Sequence, residues 1–394
     1  MRWASAISQQ VSVEDAVEEL AAAMNADLGG AAPDLLLAFT TMHYVSQRDE
    51  IVPALRRRFA GAVIIGCTGA GVIGAGQEVE EGSAFSLTAA HLPGVAVNPF
   101  HFDKDTMPSP DAPPDAWTRL TGVAPEAEPH FILLPDPFSI DGEELLAGLD
   151  FAFPGSAKIG GLASGAQRPN VQALYADEGA LAGGAVGVAL SGNVVMDTIV
   201  AQGCRPVGRA LRVTSAERNL LAELDGEPAL QVLQETFAAM APDEQRLAQR
   251  NLFIGLAPAA GVDAEDPGEY LIRNLLGADP DRGLLAVGAL PSEGQVVRFH
   301  VRDAQTSADD LRALLRGYAR QGGATGALLF SCTGRGRGLY GEPGHDSGVF
   351  RDEVGAAPVG GFFCNGEIGP VGGTTYLHGY TSSFGIFRSR VRVG

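Results

Sequence analysis

Basic residues are scarce in this chain. It has 28 Lys and Arg against 47 Asp and Glu, which give a formal net charge of −19 at pH 7 and a pI of about 4.7. Nucleic acids and anionic membrane surfaces attract basic proteins, so this charge argues against both as partners. Gly, Pro and charged residues also interrupt every apolar run before it reaches the roughly 18 to 20 residues that a membrane span needs. We therefore expect neither nucleic-acid binding nor membrane insertion.

Paired cysteines and an export signal are absent as well. Cys67, Cys204, Cys332 and Cys364 lie far apart and form no Cys-x-x-Cys motif, which argues against a zinc ribbon or a disulfide scaffold. The N-terminus continues into an acidic amphipathic segment, 13–24, rather than into an apolar signal core. These absences predict a cytoplasmic protein with reduced thiols.

Glycine and proline, in contrast, are abundant. The 52 glycines and 24 prolines fall at the ends of apolar runs, where they indicate turns. With 394 residues, 45% of them hydrophobic, the chain is long enough for two or more buried domains. We predict an N-terminal helical segment, 1–30, a first domain, 31–206, a helical connector, 207–248, and a second domain, 249–394.

An internal repeat is the strongest architectural signal in the chain. Each unit has an apolar strand, a helix, a second strand that ends in a loop of small residues, and a third strand. The first strands of the four units span 35–39, 131–134, 252–256 and 328–331. Helices are predicted at 49–59, 142–151, 270–276 and 307–320, and a short turn near 346–354. This alternation predicts an α/β fold, or else an α+β fold, in which two halves of repeated units form layered sheets with helices packed outside.

Two Gly-rich loops share the pattern Cys-Thr-Gly-x-Gly. The first contains Gly66, Cys67, Thr68 and Gly69, and the second begins at Cys332. Closely spaced glycines permit positive φ, so successive backbone N–H groups can converge on a carboxylate or a phosphate. Tight turns at crowded strand ends are the alternative for the first loop. A dinucleotide site is not predicted there, because the glycines lead into an acidic loop and not into a helix.

Charged and polar residues concentrate around the later loops. They are Arg335, Arg337, His345, Asp346, Asn365 and Glu367, with Cys332 and Cys364 beside them. Arg suits a bidentate contact with a carboxylate, and an acid with an amide can accept an ammonium group. We therefore predict a pocket for a small zwitterion or anion, such as an amino acid, with the first Gly-rich loop as its counterpart. The alternative is an internal salt bridge of Arg335 or Arg337 with Asp346 or Glu367.

Metal binding and catalysis are the less favoured interpretations of these residues. A lone histidine is more often a hydrogen-bonded structural residue than a ligand, so neither a metal nor another cofactor is predicted from the residues themselves. Cys332 and Cys364, with His345 and Asp346, also compose the inventory of a Cys-dependent hydrolase. Small buried thiols are the commoner reason for cysteine at strand ends. We expect a binding protein and not an enzyme.

Long composite motifs resemble the FIST family of sensory domains. Residues 63–74 with 78–80 resemble the FIST N-terminal domain, and 273–277, 299–303, 330–336 and 361–370 resemble the FIST C-terminal domain. The resemblance covers nearly the whole chain after about residue 30. It implies an intracellular sensory module that binds a small ligand such as an amino acid.

The resemblance also implies alternatives and a partner. Some FIST-like proteins are haem-binding nitric oxide sensors, which makes His43, His345 and His378 candidate axial ligands. Relatives carry kinase, cyclase, chemotaxis or F-box segments, and none is recognised here before Gly394. We therefore expect signalling through a separate partner protein. A protein-interaction scaffold without a small ligand is a further alternative.

Overall fold

The apolar runs of the sequence form strands that pair into sheets. The structure, a computed structural model, describes residues 1–258 and 270–390. In chain order the strands are β1 Arg2–Ser8, β2 Leu35–Thr41, β3 Val63–Gly69, β4 Gly71–Gly74, β5 Gln77–Val79, β6 Phe85–His91, β7 Val95–Phe102, β8 His130–Pro135, β9 Lys158–Gly161, β10 Leu174–Ala176, β11 Gly179–Leu181, β12 Ala185–Gly192, β13 Val195–Ala201, β14 Cys204–Glu217, β15 Leu220–Leu224, β16 Glu227–Pro228, β17 Leu252–Leu256, β18 Leu271–Asp279, β19 Leu284–Val287, β20 Val296–Arg302, β21 Gly326–Cys332, β22 Val359–Cys364, β23 Glu367–Val371, β24 Thr374–His378 and β25 Ser382–Arg388.

Helices connect many of these strands. They are α1 Val13–Asp27, α2 Arg48–Arg58, α3 Pro114–Thr121, α4 Gly142–Ala152, α5 Ala229–Ala239, α6 Pro242–Asn251, α7 Ala304–Ala319, α8 Gly336–Tyr340 and α9 His345–Val354, with short 3-10 helices at Met42–Gln47 and Pro125–Ala127. Capping side chains start α1 and α4: the Asp141 carboxylate, for example, accepts the N–H groups of Glu143 and Glu144 at the start of α4. Within the described residues, every helix is too short or too polar to span a bilayer.

Two compact units make up the chain. The first contains Met1–Ala201 together with Leu311–Gly394, and the second contains Gln202–Asp310. Three six-stranded sheets belong to the first unit, in the strand orders β1-β6-β2-β3-β10-β11, β7-β12-β8-β9-β23-β24 and β13-β25-β21-β22-β4-β5. We call them the first, second and third sheet. In each one the two central strands are parallel, and every other neighbouring pair is antiparallel.

The three sheets exchange hairpins in a cycle. The hairpin β4–β5 follows the parallel pair of the first sheet in sequence but pairs with β22 of the third sheet. In the same way β10–β11 completes the first sheet, and β23–β24 completes the second. No one of these sheets is complete without residues from another part of the chain, so they form one unit. The exchange places β5 at the edge of the third sheet.

The inner faces of the three sheets share one apolar core, and helices cover the outer faces. Along β2, Leu35, Leu37 and Phe39 point into the shared core, while Leu36 and Ala38 pack against α1 and α2. Helices α3 and α4 cover the second sheet, and α7 and α9 cover the third. Burial on both faces explains why these strands have no polar alternation. The predicted α/β class, with layered sheets and helices outside, is confirmed.

Some segments predicted as helical form strands. The helix predicted at 270–276 overlaps strand β18. The connector predicted to be helical over 207–248 contains most of β14 and all of β15 before helix α5 begins. The N-terminal segment predicted to be helical over 1–30 begins with strand β1. The turn predicted near 346–354 is helix α9. Segments β1 and β14 are strands because each pairs with a strand distant in sequence: β1 pairs with β6, and β14 pairs with β20. Such tertiary hydrogen bonds override local helical spacing.

The third predicted repeat unit differs from the other three. Its strands β17, β18, β19 and β20 lie in a seven-stranded sheet of the second compact unit and pair antiparallel. Consecutive antiparallel strands need only a short turn, whereas a parallel pair needs a crossover. Residues 271–279 are therefore free to form strand β18, where the repeat pattern had predicted a helix over 270–276.

Close contact between the central parallel strands depends on glycine. Gly66, Gly160 and Gly361 occupy the same position in β3, β9 and β22. A Cβ atom at Gly66 would lie 1.9 Å from the carbonyl oxygen of Ala38 on β2, and the corresponding distances at Gly160 and Gly361 are 1.9 and 1.8 Å, again to a backbone oxygen. No side chain fits there without a backbone shift.

We expect Gly66→Ala to lower the free energy of unfolding of the first unit by about 1–3 kcal/mol, because the strands must move apart. Urea unfolding followed by tryptophan fluorescence measures this, since the 2 tryptophans, Trp3 and Trp117, are both buried in the first unit. Gly317→Ala in α7 is the control: its Cβ atom would meet nothing within 4 Å, so it is expected to stabilise by about 0.5–1 kcal/mol. Wild-type stability of Gly66→Ala would contradict the argument.

Candidate functional site

A buried salt bridge lies at the end of the third sheet's parallel pair. Arg335 follows β21, and Asp346 is in the first turn of α9. The Arg335 Nε atom lies 2.7 Å from Asp346 Oδ2, and Nη2 lies 3.0 Å from Oδ1. Both side chains are inaccessible to solvent, with 0% and 1% exposure. The internal salt bridge considered for Arg335 is therefore present, and this guanidinium is occupied by the protein itself.

Further polar groups surround Asp346. The Ser331 hydroxyl donates to Oδ2 at 3.1 Å, the Ser382 hydroxyl also donates to Oδ2, and His345 Nδ1 lies 3.1 Å from Oδ1. Burial alone would raise the pKa of the Asp346 carboxyl. The charge of Arg335, with the hydrogen bonds from His345, Arg335 and Ser382, outweighs burial and holds this pKa well below its usual range. Asp346 is therefore ionised at neutral pH.

Glu367 is a second buried carboxyl group in the same region. It lies in β23 and pairs with Gly161, the residue that follows Gly160 in β9. The equivalent positions in the other two sheets are Val72 in β4 and Leu174 in β10, and both belong to the shared apolar core. The Oε1 atom of Glu367 accepts the Gly366 N–H at 3.2 Å, and Oε2 accepts the N–H of Thr381, between β24 and β25, at 3.0 Å. Burial raises the pKa of Glu367 to about 7. A carboxyl group in β23 thus occupies a position that holds an apolar side chain in the equivalent strands β4 and β10.

The cysteines of the predicted site are buried beside Glu367. Cys332 and Cys364 face each other in register on β21 and β22, and the Cys364 thiol donates to Glu367 Oε1 at 3.5 Å. Burial raises the pKa of the Cys364 thiol well above its usual value, and it does the same for Cys67. Because the thiolate is the nucleophilic form, burial makes Cys364 and Cys67 poor nucleophiles.

The first Gly-rich loop is part of a sheet. Gly66, Cys67, Thr68 and Gly69 belong to β3, and the Thr68 N–H donates to the carbonyl of Ala173 at 2.9 Å. Neither glycine has a positive φ. The open anion-accepting nest expected there is not formed, because the ladder uses the backbone groups and the glycines serve close packing instead.

An open groove of about 590 Å³ lies on the first unit, between hairpin β4–β5 and the segment that contains α8. We call it the acidic groove. Its lining residues are Gln9, Gln77, Glu78, Val79, Glu80, Glu81, Arg337, Gly338 and Pro343. Of the predicted site residues, Arg337 lies here, while Asn365 is exposed and is not part of this lining.

Glu78 is the least usual side chain of the acidic groove. It is 6% exposed, and its Oε1 atom accepts the N–H of Ser347 at 2.7 Å, in the first turn of α9. Its Oε2 atom is buried and has no hydrogen-bond partner among the described residues. Burial, with a smaller contribution from Asp346, raises the pKa of Glu78 to about 7. Glu78 was not among the predicted site residues, although it lies in the 78–80 segment that resembles the family motif.

The backbone and the side chain of Arg337 lie in different environments. Its backbone N–H donates to Glu80 Oε1 at 2.9 Å, so a carboxylate does meet this Gly-rich loop, but it is the protein's own. Its guanidinium is exposed and has no ion-pair or hydrogen-bond partner within residues 1–258 and 270–390. Of the predicted site residues, Arg335 and Asp346 thus form a buried pair, whereas Arg337 is exposed and lines the acidic groove.

The candidate haem ligands occupy different environments. His43 is exposed, the His345 ring stacks on Tyr340 with centroids 3.5 Å apart, and His378 is buried with Nε2 2.9 Å from the carbonyl oxygen of Gly369. A second open groove, of about 440 Å³, lies between β13 and α7, and neither groove has a histidine among its lining residues. In the described part of the chain no three His, Cys, Asp or Glu side chains are placed to hold a metal ion.

Comparison with known proteins adds two domain matches. The family model of the FIST N domain matches residues 34–227, and that of the FIST C domain matches residues 229–370. The first unit of the structure combines residues from both matches.

Relatives and a solved structure are also similar to the chain. An uncharacterized protein of Mycobacterium tuberculosis is 35% identical over 391 residues, which cover 98% of this chain and 100% of the relative. An uncharacterized protein of Mycobacterium bovis is 32% identical over 98% of this chain and 99% of its own length. The crystal structure of cyanuric acid hydrolase from A. caulinodans aligns over 99% of this chain and 100% of that chain, with 10% identity and a TM-score of 0.38. That structural likeness is too weak to carry an inference.

Proposed function

The chain belongs to the FIST family, whose domains are generally sensory domains, and we propose that it senses a small amino-acid-like ligand in the acidic groove. The observation that carries the proposal is the exposed guanidinium of Arg337, which lines the groove and has no ion-pair or hydrogen-bond partner among the described residues. A carboxylate of a bound ligand would supply that partner.

Charges of both signs line the acidic groove. The exposed guanidinium of Arg337 suits the planar, bidentate recognition of a carboxylate. Glu78, Glu80 and Glu81 offer carboxylates to an ammonium group. An amino acid carries both complementary groups, which supports the zwitterion expected from the sequence and assigns its carboxylate to Arg337 rather than to the buried Arg335.

Two carboxylates of this groove accept backbone N–H groups in the first turns of helices α8 and α9. These contacts could carry the effect of ligand binding to the two helices. Glu78 accepts an N–H of α9, and Glu80 accepts an N–H of α8. A ligand that binds Glu78 changes the contact at the start of α9, where Asp346 pairs with Arg335. Ligand binding shifts a conformation only when the two states bind it differently, and these hydrogen bonds supply such a difference. We place the output at α8 and α9, for a separate partner protein to read.

The test is calorimetric titration with a panel of amino acids. At least one is expected to bind, and Arg337→Gln and Glu78→Gln are each expected to weaken binding at least tenfold, which is about 1.4 kcal/mol. The matched controls are Arg351→Gln and Glu143→Gln, because both side chains are exposed and neither lines the groove. Wild-type affinity in both groove variants would reject this site.

A further inference from the structure

One strand at a sheet edge of the first unit lacks the usual protection. Strand β13 forms an edge of the third sheet and pairs only with β25 in the described residues. Native sheets protect their edges with short strands, proline or covering groups, because unpaired backbone groups bind other extended chains. Strands β5 and β11 are three residues long, β1 is almost entirely buried, β7 contains Pro99, and the Thr375 N–H of β24 is bound by Asp150. Strand β13 is seven residues long, contains no proline and is only partly buried.

The hydrogen-bond pattern of the third sheet identifies the groups of β13 that face outward. The Cys332 N–H donates to the Thr381 carbonyl at 2.9 Å, at the end of the β21–β25 register. Bonded pairs alternate along antiparallel strands, so the even-numbered residues of β25 bond to the odd-numbered residues of β13. The N–H and C=O groups of Met196, Thr198 and Val200 therefore face away from β25. In the described part of the chain no hydrogen-bond partner is found for them.

The open groove of about 440 Å³ runs along this edge, and we call it the β13 groove. One wall is formed by the four consecutive residues 196–199. Side chains of consecutive strand residues point to opposite faces, so a groove that touches all four borders the edge itself. The facing wall includes Leu314 and Gly317 of α7, both exposed. A Cβ atom at Gly317 would meet nothing within 4 Å, so this glycine leaves room beside the strand.

We propose that the β13 groove binds an extended segment of a partner protein, which adds a strand to the six-stranded third sheet. The backbone of the segment pairs with the outward groups of Met196, Thr198 and Val200. In strand addition, main-chain hydrogen bonds give affinity and contacts with alternate side chains give specificity. The alternate side chains on the α7 side meet Leu314, which favours apolar residues at every second position of the segment.

Charge favours a partner segment over a second copy of this chain. Pairing of β13 with itself would bring together two molecules of formal net charge −19 each, and like charges oppose association. The Asp197 carboxylate in the lining is paired with Arg388 at 2.7 Å, so the groove offers backbone groups and apolar surface. The occupant is therefore expected to be neutral or basic. Binding at β13 uses no residue of the acidic groove and can be tested separately.

The experiment is selection of seven-residue peptides from a random display library on the full chain, followed by fluorescence anisotropy with a selected peptide made synthetically. Peptides with alternating apolar residues and without acidic residues are expected to be enriched. Thr198→Pro removes one outward N–H and no bond to β25, so it should fold and weaken binding roughly tenfold or more. Thr198→Val keeps this N–H and is expected to bind the peptide like the wild type.

A second variant acts from the helix side of the β13 groove. Gly317→Leu fills the space beside the strand and should also weaken binding roughly tenfold or more, while urea unfolding shows that the fold is kept. Ala313→Leu is the matched control, because Ala313 is exposed on α7 and does not line the groove. N-methylation of the peptide should abolish binding at alternate positions only, which apolar docking without strand pairing would not produce.

Each other outcome counts against the partner segment. Failure to enrich any peptide over a parallel selection on Thr198→Pro, or equal affinity of Thr198→Pro and Thr198→Val, would overturn the proposal. If Thr198→Pro does not fold, wild-type affinity in Gly317→Leu would overturn it instead. Light scattering tests the second copy: a wild-type dimer that becomes a monomer in Thr198→Pro or Gly317→Leu would assign the edge to self-association and reject the partner segment.

Discussion

Asp346→Asn is expected to lower the free energy of unfolding of the first unit by about 3–5 kcal/mol, because it leaves a charged guanidinium buried without its partner. Arg335 is inaccessible to solvent, and it donates to Asp346 through Nε and Nη2. Asparagine keeps the shape of the side chain but removes its charge. The buried cation then lacks the interaction that offset its loss of hydration.

Urea unfolding followed by tryptophan fluorescence measures the loss in this unit. The double variant Arg335→Met with Asp346→Leu is the control for burial, and it should recover much of the stability because no charge remains to be desolvated. Glu14→Gln is the control for an exposed pair, since Glu14 and its partner Arg57 are 59% and 58% exposed, and it should change the unfolding midpoint very little. Equal losses in Asp346→Asn and Glu14→Gln would refute the account.

Raising the pH from 5 to 8 is expected to destabilise the first unit by about 2–3 kcal/mol through Glu367 alone. Burial raises the pKa of Glu367 from the ordinary 4.5 to about 7 in the folded protein. The folded state therefore keeps a proton that the unfolded chain has already lost. This stabilisation is complete below pH 4.5 and disappears as the pH rises through about 7. Glu78, whose pKa burial also raises to about 7, acts in the same direction.

Stability against pH, measured for the wild type and for Glu367→Gln, tests this sign. The variant should have a flatter profile between pH 5 and 8. Asp346 does not contribute in this window, because its depressed pKa costs stability only when the pH falls below its ordinary 3.8. Glu143→Gln, at an exposed carboxyl group, should keep the wild-type profile. A wild-type slope in Glu367→Gln would show that Glu367 is not the titrating group.

The apolar strands could be predicted because a run of consecutive apolar residues indicates a strand that is buried on both faces. The strand at Leu35–Thr41 has apolar residues on both faces, and both faces are covered in the structure. The helix predicted at 142–151 likewise begins with acidic residues after a capping aspartate and is α4. In contrast, β18 was predicted as a helix, since its sequence does not show that β17 and β19 provide its hydrogen bonds.

For the predicted site, too, residue types could be recognised from the sequence, but burial and contacts with distant segments could not. Arg335, Asp346 and Glu367 were recognised from their residue types beside Gly-rich loops, but their full burial was not visible in the sequence. Glu78 was missed as a site residue because acids in a short polar segment, here Glu78, Glu80 and Glu81, are usually solvated surface residues. Only the transfer of hairpin β4–β5 to the third sheet brings it against α9.

The sequence by itself therefore determined the apolar strands, most of the helices, the α/β class and the family, since these depend on residue type and spacing along the chain. Tertiary structure alone decided that three sheets exchange hairpins, that Arg335 is paired internally, and that Glu78 and Arg337 line one groove. The physical reason is that hydrogen-bond partners and burial are set by strands and loops distant in sequence, such as Glu78 and Ser347. A local pattern records the composition of each segment but not the segment it will contact.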